Sequence, residues 1–190
     1  MSEDTGWLNF TYAEEVDRID GTSTWLDVNG ALLDDGAEAQ NNIDKFEFSH
    51  WLRVYSLDGS VPSNCIIDGI ELQVHRRAEK NNRLTDSSLR LSINSTVLIG
   101  DNKASAAAWS NVNETITYGS GIDIWNSGIT FPDINNSNFG IMFSVQNNNK
   151  KDTKAFIRYI GIKIYYTSGV LPGIMNISKI NGIPINQIVT

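Results

Sequence analysis

The C-terminal half of the chain contains a stretch in which apolar and polar positions alternate with a period of two. Between Phe156 and Thr167, Ile160, Ile162, Ile164 and Tyr166 fall on one face, and smaller or polar residues fall on the other. Alternation of this kind, rich in β-branched and aromatic residues, is typical of a half-buried antiparallel strand. The pattern therefore predicts a long strand that ends near Thr167.

Other segments repeat the same period. The segment 65–76 places Ile70, Leu72 and Val74 on one face, with a bend or bulge predicted at Asp68-Gly69. The segments 89–93 and 96–99 predict a hairpin that closes through Asn94-Ser95. Shorter strands are predicted at 46–48, 52–55, 115–118 and 139–145.

Clusters of Asn, Asp, Gly and Ser separate these segments, as in 135–138 and 146–149. Such residues hydrogen-bond their own backbone in turns and tolerate left-handed conformations. Only 31–42 and 103–109 could hold a helical turn or two. Many short strands, polar loops and almost no helix predict an all-β protein, an antiparallel β-sandwich of the jelly-roll type.

The pattern changes near residue 168, which divides the chain into a predicted sandwich over 1–168 and an arm over 169–190. Asn181-Gly182 stands between Ile180 and Ile183, and Asn-Gly is the strongest short signal for a β-hairpin. An isolated hairpin is marginally stable in water, so the arm must dock, either on its own sandwich or on another subunit. The residues predicted for an assembly arm are Ile174, Ile177, Ile180, Asn181, Gly182, Ile183, Ile185 and Ile188.

The charge, the cysteine count and the lack of long apolar runs argue against several classes of function. A net charge of −7 argues against a general nucleic-acid coat, which needs a high density of cations. The single cysteine, Cys65, cannot form an intramolecular disulfide, and the acidic start has no apolar signal-peptide core. No apolar run approaches the roughly 20 residues of a membrane-spanning helix. These features predict synthesis in a reducing cytoplasm without membrane insertion.

Catalytic chemistry is not indicated by any motif. The two histidines, His50 and His75, lack the spacing of a zinc site. His75 is out of phase with the apolar face of its strand and should point to the opposite face. Cys65 is expected to pack as a small apolar residue. We therefore predict no catalytic residue, no cofactor and no metal ion.

Two acidic pairs are the remaining candidates for chemistry. A glycosidase needs two carboxylates in a cleft, but adjacent residues of a strand point to opposite faces, so Glu14-Glu15 and Asp34-Asp35 are better explained by solvated loops. Asp34-Asp35-Gly36 offers oxygen ligands for calcium, but it lacks acidic residues at alternating positions.

The chain has five tryptophans, and these allow a carbohydrate-binding interpretation because sugar rings stack on indole. The competing interpretation is that tryptophans fill the core, since each buries a large apolar area. We expect at least three of them in the core. Trp25 and Trp109, in polar surroundings, are the candidates for exposed glycan-stacking residues.

The segments DGIELQV, TYGSGIDIWNSGITFPDINNSNFGIMFSV and IRYIGIKIYYT resemble, in this order, jelly-roll domains of virion structural proteins of tailed bacteriophages. The resemblance covers roughly residues 7–167. The closing ISKINGIPI is similar to short hairpin segments that end some phage surface and fibre proteins. The family shares no active site.

The resemblance implies a non-enzymatic virion component, an accessory head or tail protein such as a decoration, fibre or adaptor protein. Its partners would be other virion proteins and copies of itself, and it would be made in the host bacterial cytoplasm. The alternative is a carbohydrate-binding β-sandwich module that recognises a host surface glycan. A hydrolase acting on cell-wall polymers would need an acid/base pair that the sequence does not display.

Overall fold

The computed structural model describes residues 2–169 and the short strands 179–180 and 183–184. Within this part of the chain, no helix is long and apolar enough to cross a membrane. A 3₁₀ turn covers Val28–Ala31 and a one-turn helix, α1, covers Phe131–Ile134. The strands of the sandwich are β1 (Glu3–Asp4), β2 (Leu8–Val16), β3 (Trp25–Leu26), β4 (Ala39–Ile43), β5 (Trp51–Leu57), β6 (Ile66–Ala78), β7 (Leu84–Ile93), β8 (Val97–Ile99), β9 (Glu114–Ser120), β10 (Gly140–Asn147) and β11 (Thr153–Thr167).

The strands form two antiparallel layers, as the sequence predicts. In the first layer, β11 lies between β6 on one side and β4, the start of β2, and β1 on the other, while β9 and β3 extend the edges. The second layer has the order β2-β5-β10-β7-β8. Strand β2 belongs to both layers, because Leu8 and Asn9 pair with β11 and the residues from Phe10 onward pair with β5. The chain is thus an antiparallel β-sandwich of the jelly-roll type.

The longest strands carry the core. In β11, the predicted face is buried, and in β6 the predicted Ile70, Leu72 and Val74 are fully buried. Asp68 is left out of the β6–β11 register, which confirms the bulge predicted there. Phe143 of β10 faces these side chains from the other layer, together with Leu89 and Leu91 of β7. Apolar burial between the layers is the main force that holds them together.

The predicted hairpin between β7 and β8 is confirmed, with Ile93 opposite Val97 and with Asn94 and Ser95 in the left-handed region. The strand predicted at 46–48 is wrong. Phe46 has a φ of 61° and is exposed, and Phe48 forms only an isolated bridge to Gln146. A left-handed residue breaks the extended backbone that a strand needs.

Both predicted helical segments are also wrong. The segment 31–42 holds only the end of the 3₁₀ turn and most of β4. The segment 103–109 runs along β7, because the Lys103 and Trp109 backbone N–H groups donate to Leu89 and Leu84 carbonyls. The one α-helical turn of the described residues, α1, begins instead at Phe131, and its N-cap Thr130 forms a capping box with Asp133.

Beyond the sandwich, the backbone of Lys179–Ile180 pairs antiparallel with that of Ile183–Pro184. Ile180 lies opposite Ile183, which is the register that an Asn-Gly turn predicts. Of the predicted arm residues, Ile174, Ile177, Asn181, Gly182, Ile185 and Ile188 lie outside the described residues.

Candidate ligand-binding groove

The outer face of the second layer carries aromatic and charged side chains where a solvated sheet usually carries small polar ones. In β5, Leu52 and Val54 point into the core. The alternate residues Trp51, Arg53 and Tyr55 therefore point outward. Antiparallel register then sets each outward residue beside one from β2. The pairs are Tyr12 with Tyr55, Glu14 with Arg53, and Val16 with Trp51.

Arg53 belongs to this face but is covered by its neighbours. Its side chain is buried, and its guanidinium donates to Glu14 Oε1 at 2.5 Å and to the Asn138 carbonyl at 3.0 Å. The guanidinium also lies 4.0 Å from the Tyr55 ring centroid. Tyr12, which is 54% exposed, lies beside Tyr55 with ring centroids 5.5 Å apart and ring planes tilted by 31°. A buried cation therefore supports the Tyr55 ring, and Tyr12 extends the aromatic surface beside it.

A groove of about 360 Å³ opens at the other end of the same face, beside the half-buried Trp51. Its apolar wall comes from β2, β8 and β10, and its polar wall comes from the segment that follows β2. The lining residues are Val16, Asp17, Arg18, Ile19, Asp20, Trp51, Thr96, Leu98 and Met142.

Arg18 holds the polar wall in place. Its guanidinium lies 5.1 Å from the Trp51 ring centroid and donates to Ser87 Oγ at 2.8 Å and to Ser144 Oγ. It also donates from Nε to Asp20 at 2.5 Å, and this hydrogen bond lowers the pKa of the Asp20 carboxyl. The Asp20 carboxylate is therefore committed to Arg18, and the indole of Trp51 is flanked by a fixed cation.

The structure does not place Trp25 and Trp109 at the surface, so their predicted exposure was wrong. Trp25 is 4% exposed and donates its indole N–H to the His50 carbonyl at 3.0 Å. Trp109 is fully buried and donates to Asp86 at 2.8 Å. Their polar neighbours in sequence belong to loops that fold over the sheet, and the indoles turn inward from those loops. With Trp125, three tryptophans lie in the core, as expected.

Trp51 and Tyr55 were missed as candidates, although the sequence carried a signal for them. They occupy the phase of β5 opposite to Leu52 and Val54, which is the phase expected to be polar. An aromatic residue at a solvent-phase position of a predicted strand is the feature that identifies this face.

One of the two acidic pairs departs from the expected solvated loop. Glu14 and Glu15 lie in β2, not in a loop, although they do point to opposite faces, toward Arg53 and His50 respectively. Asp34 and Asp35 are exposed in the loop before β4, as expected, and Asp34 forms ion pairs: its carboxylate lies 2.7 Å from Arg158 Nε and 3.5 Å from His75 Nδ1.

His75 and Cys65 are placed as predicted. His75 points away from the buried face of β6, with its ring centroid 5.1 Å from that of Tyr159. Cys65 is buried in the core cluster, and desolvation raises the pKa of its thiol. A buried, protonated thiol is a poor nucleophile, as its predicted packing role implies.

A second polar cluster lies inside the sandwich and joins the two layers. Asp86 of β7 accepts from Arg76 Nη1, from the Tyr118 hydroxyl at 2.7 Å and from Trp109 at 2.8 Å. Burial, and then the charge of Asp86, raise the pKa of Tyr118. The Arg76 and Asp86 side chains are almost completely buried, so this cluster is closed to a ligand and serves the fold.

No protein-family model matches the chain, and no curated protein matches it. Solved structures that resemble it include a family 4 carbohydrate-binding module, with 7% identity and a TM-score of 0.41 over 83% of this chain and 93% of that one. A family 61 module in complex with β-1,4-galactotriose has 10% identity and a TM-score of 0.40 over 81% and 89%. A family 29 module from Piromyces equi has 11% identity and a TM-score of 0.35 over 94% and 99%. At these values, the ligands of those proteins say nothing about a ligand for this chain.

Proposed function

We propose that the protein is a carbohydrate-binding β-sandwich module that recognises a glycan on the outer face of its second layer. The observation that carries the proposal is the groove beside Trp51, with an apolar wall on one side and a polar wall on the other. Sugars present apolar C–H faces and a ring of hydroxyls, so they need an aromatic surface next to hydrogen-bonding groups. This groove supplies both.

The neighbouring residues extend the same surface. Tyr55 and Tyr12 continue the aromatic face along β5 and β2, and the Arg53 guanidinium packs against the Tyr55 ring. Strand residues two apart are separated by about 7 Å, so Trp51 and Tyr55 lie roughly 14 Å apart along β5. That spacing suits a ligand of several sugar units better than a single monosaccharide.

Binding without turnover is part of the proposal. A glycoside hydrolase needs one carboxyl group to donate a proton and a second to act as nucleophile or base. Of the groove carboxylates, Asp20 is hydrogen-bonded to Arg18 and its pKa is lowered, which makes it a poor proton donor.

The test uses Trp51→Ala against the matched control Trp7→Ala. Trp7 is also partly exposed, but it lies beside Lys163 of the first layer, away from the groove. Affinity electrophoresis in soluble polysaccharides, followed by titration of the best binder, measures the dissociation constant. Loss of a central aromatic contact should cost about 2 kcal/mol, which is roughly a 30-fold weaker affinity.

The expected result is that the unchanged protein and Trp7→Ala bind the polysaccharide with equal affinity. Trp51→Ala should bind it with the weaker affinity given above. Circular dichroism of each variant checks that the sandwich is intact. Absence of binding across neutral, acidic and amino-sugar polysaccharides would overturn the proposal. So would an equal affinity in Trp51→Ala, since the groove would then play no part.

A second candidate, supported by the resemblance in sequence and by the pairing of Lys179–Ile180 with Ile183–Pro184, is a bacteriophage virion component that assembles through residues 169–190. Strand addition would supply backbone hydrogen bonds and apolar burial at a contact with another subunit. This candidate predicts that the full-length chain associates with itself or with another virion protein, and that a chain ending at Gly169 does neither. The two proposals are compatible, because the sandwich could bind a glycan while the arm attaches the protein to a particle.

A further inference from the structure

Three potential metal ligands from two separated segments meet where β2 ends and β5 begins. Glu15 and Asp17 come from the end of β2, and His50 directly precedes β5. The register that pairs Val16 with Trp51 brings Asp17 and His50 side by side. One ligand atom from each residue lies within 4.8 Å of the other two.

The two carboxylates converge on the same nitrogen. His50 Nδ1 contacts Glu15 Oε1 and lies 3.3 Å from Asp17 Oδ1. A ring nitrogen carries at most one proton, so Nδ1 can donate a hydrogen bond to only one of these carboxylates at a time. A divalent ion bound by all three atoms would satisfy both carboxylates and the imidazole together.

The ligand set selects the class of ion. Zn²⁺ is bound by His nitrogen and carboxylate oxygen at about 2.0–2.2 Å, whereas Ca²⁺ and Mg²⁺ prefer oxygen ligands alone. Zn²⁺ at those bond lengths spaces its ligand atoms roughly 3.4 Å apart. The 3.3 Å between His50 Nδ1 and Asp17 Oδ1 already matches this spacing, whereas the closer contact between His50 and Glu15 has to open to admit the ion. Three protein ligands leave a fourth position for water or for a ligand group.

Hydrogen bonds fix the backbone of His50, and the cluster is open to solvent on the side of Asp17. The His50 backbone N–H donates to the Ser23 carbonyl at 2.8 Å, and the His50 carbonyl accepts from Trp25 at 3.0 Å. The His50 and Glu15 side chains are 16% and 27% exposed, but that of Asp17 is 95% exposed. The neighbouring cation, Arg18, is engaged by Asp20 and does not neutralise the cluster.

We propose that Glu15, Asp17 and His50 bind one divalent transition-metal ion of the Zn²⁺ class. Asp17 also lines the groove beside Trp51, so the ion would lie at the edge of that groove with its open position toward solvent. The site does not depend on the glycan proposal, because the metal is measured in the absence of any sugar. It is also absent from the sequence as a motif, since 35 residues separate Glu15 from His50.

Calorimetric titration of ZnCl₂ into the untagged, chelator-treated full-length chain tests the site. We expect one Zn²⁺ per chain. Removing a ligand should weaken binding at least about tenfold, since even groups that only support a ligand change affinity by 10–100-fold. His50→Ala and Glu15→Gln should both show this loss. Absorption of bound Co²⁺ in the visible region gives a second measurement that reports a tetrahedral site directly.

His75→Ala is the matched control, because the other histidine also lies near a carboxylate, Asp34, but beside the cation Arg158. It should bind Zn²⁺ like the unchanged chain. Absence of stoichiometric binding would overturn the proposal and leave the cluster as a contact of His50 with two carboxylates. Binding that survives in His50→Ala, or that is lost in His75→Ala, would overturn it as well. Circular dichroism separates loss of a ligand from loss of the fold.

Discussion

Several side chains in this protein are stabilised by hydrogen bonds to residues that are distant in the sequence. Asp86 illustrates this, because its donors Arg76, Trp109 and Tyr118 come from three different segments. A carboxylate removed from water is tolerated only when such donors replace its hydration. The sequence shows an ordinary strand residue at position 86, and only the packing of the two layers reveals a buried anion.

Replacing Asp86 should therefore be strongly destabilising. Asp86→Asn removes the charge that pairs with the buried Arg76, and the amide nitrogen faces groups that are themselves donors. We expect a loss of about 3–5 kcal/mol in the free energy of unfolding, measured by urea denaturation. Asp35→Asn, at an exposed turn, is the control and should change stability by about 0.5 kcal/mol or less. An equal effect of the two substitutions would show that the cluster contributes nothing special to stability.

Trp51 and Trp109 show that the polarity of neighbouring residues in the sequence does not predict whether a tryptophan is exposed. Polar neighbours suggested exposure for Trp109, yet its indole lies in the core beside Phe143, with ring centroids 6.1 Å apart. Trp51 stands next to apolar Leu52, yet it faces outward because its strand alternates. Strand phase therefore predicts exposure better here than the polarity of the flanking residues.

At the level of strands, local pattern was sufficient for β6, β11 and the β7–β8 hairpin. Each has a strict period of two or a pair of strand segments around a short polar turn. Strands β2 and β4 were missed because acidic or amide residues interrupt their patterns, as in Ala39–Ile43. Such strands form because neighbours in the sheet supply hydrogen bonds, which is a tertiary effect.

The pairing of β6 with β9 requires a glycine at position 119 of β9. Gly119 has a φ of 75°, and a Cβ at this position would overlap the Ile70 carbonyl oxygen. Gly119→Ala should therefore cost about 3 kcal/mol, from left-handed strain and overpacking together.

Gly128→Ala provides the control for that substitution. Gly128 has a φ of 63°, but a Cβ added there would have no atom within 4 Å, so only the conformational penalty of about 1 kcal/mol applies. Thermal unfolding of both variants measures the difference. If both lose the same stability, crowding at the β6–β9 pair is not a constraint.

For the whole molecule, the question left by the two proposals is whether residues 169–190 join chains together. Light scattering after size exclusion gives the absolute mass of the full-length chain and of a chain that ends at Gly169. We expect a multiple of 21.1 kDa for the first and a monomer for the second. Ile183→Asp should act like the truncation, because an unpaired carboxylate is disfavoured in an apolar contact.

A full-length monomer that also captures no other protein of a phage particle would contradict assembly through the arm. The sandwich itself should be unaffected by the truncation, since its last strand, β11, ends at Thr167. Equal melting temperatures of the two chains would support that independence. The glycan and zinc experiments can then be repeated on the shorter chain.

The sequence by itself determined the fold class, the inward faces of the long strands and the burial of Cys65, because these follow from side-chain period and hydrophobicity along one segment. Tertiary structure alone decided what the surface can bind. The groove beside Trp51 and the cluster of Glu15, Asp17 and His50 both depend on the register of β2 against β5. Register joins segments that are distant in sequence, and a slip of β2 by one residue would turn its side chains to the other face of the sheet, away from their partners on β5.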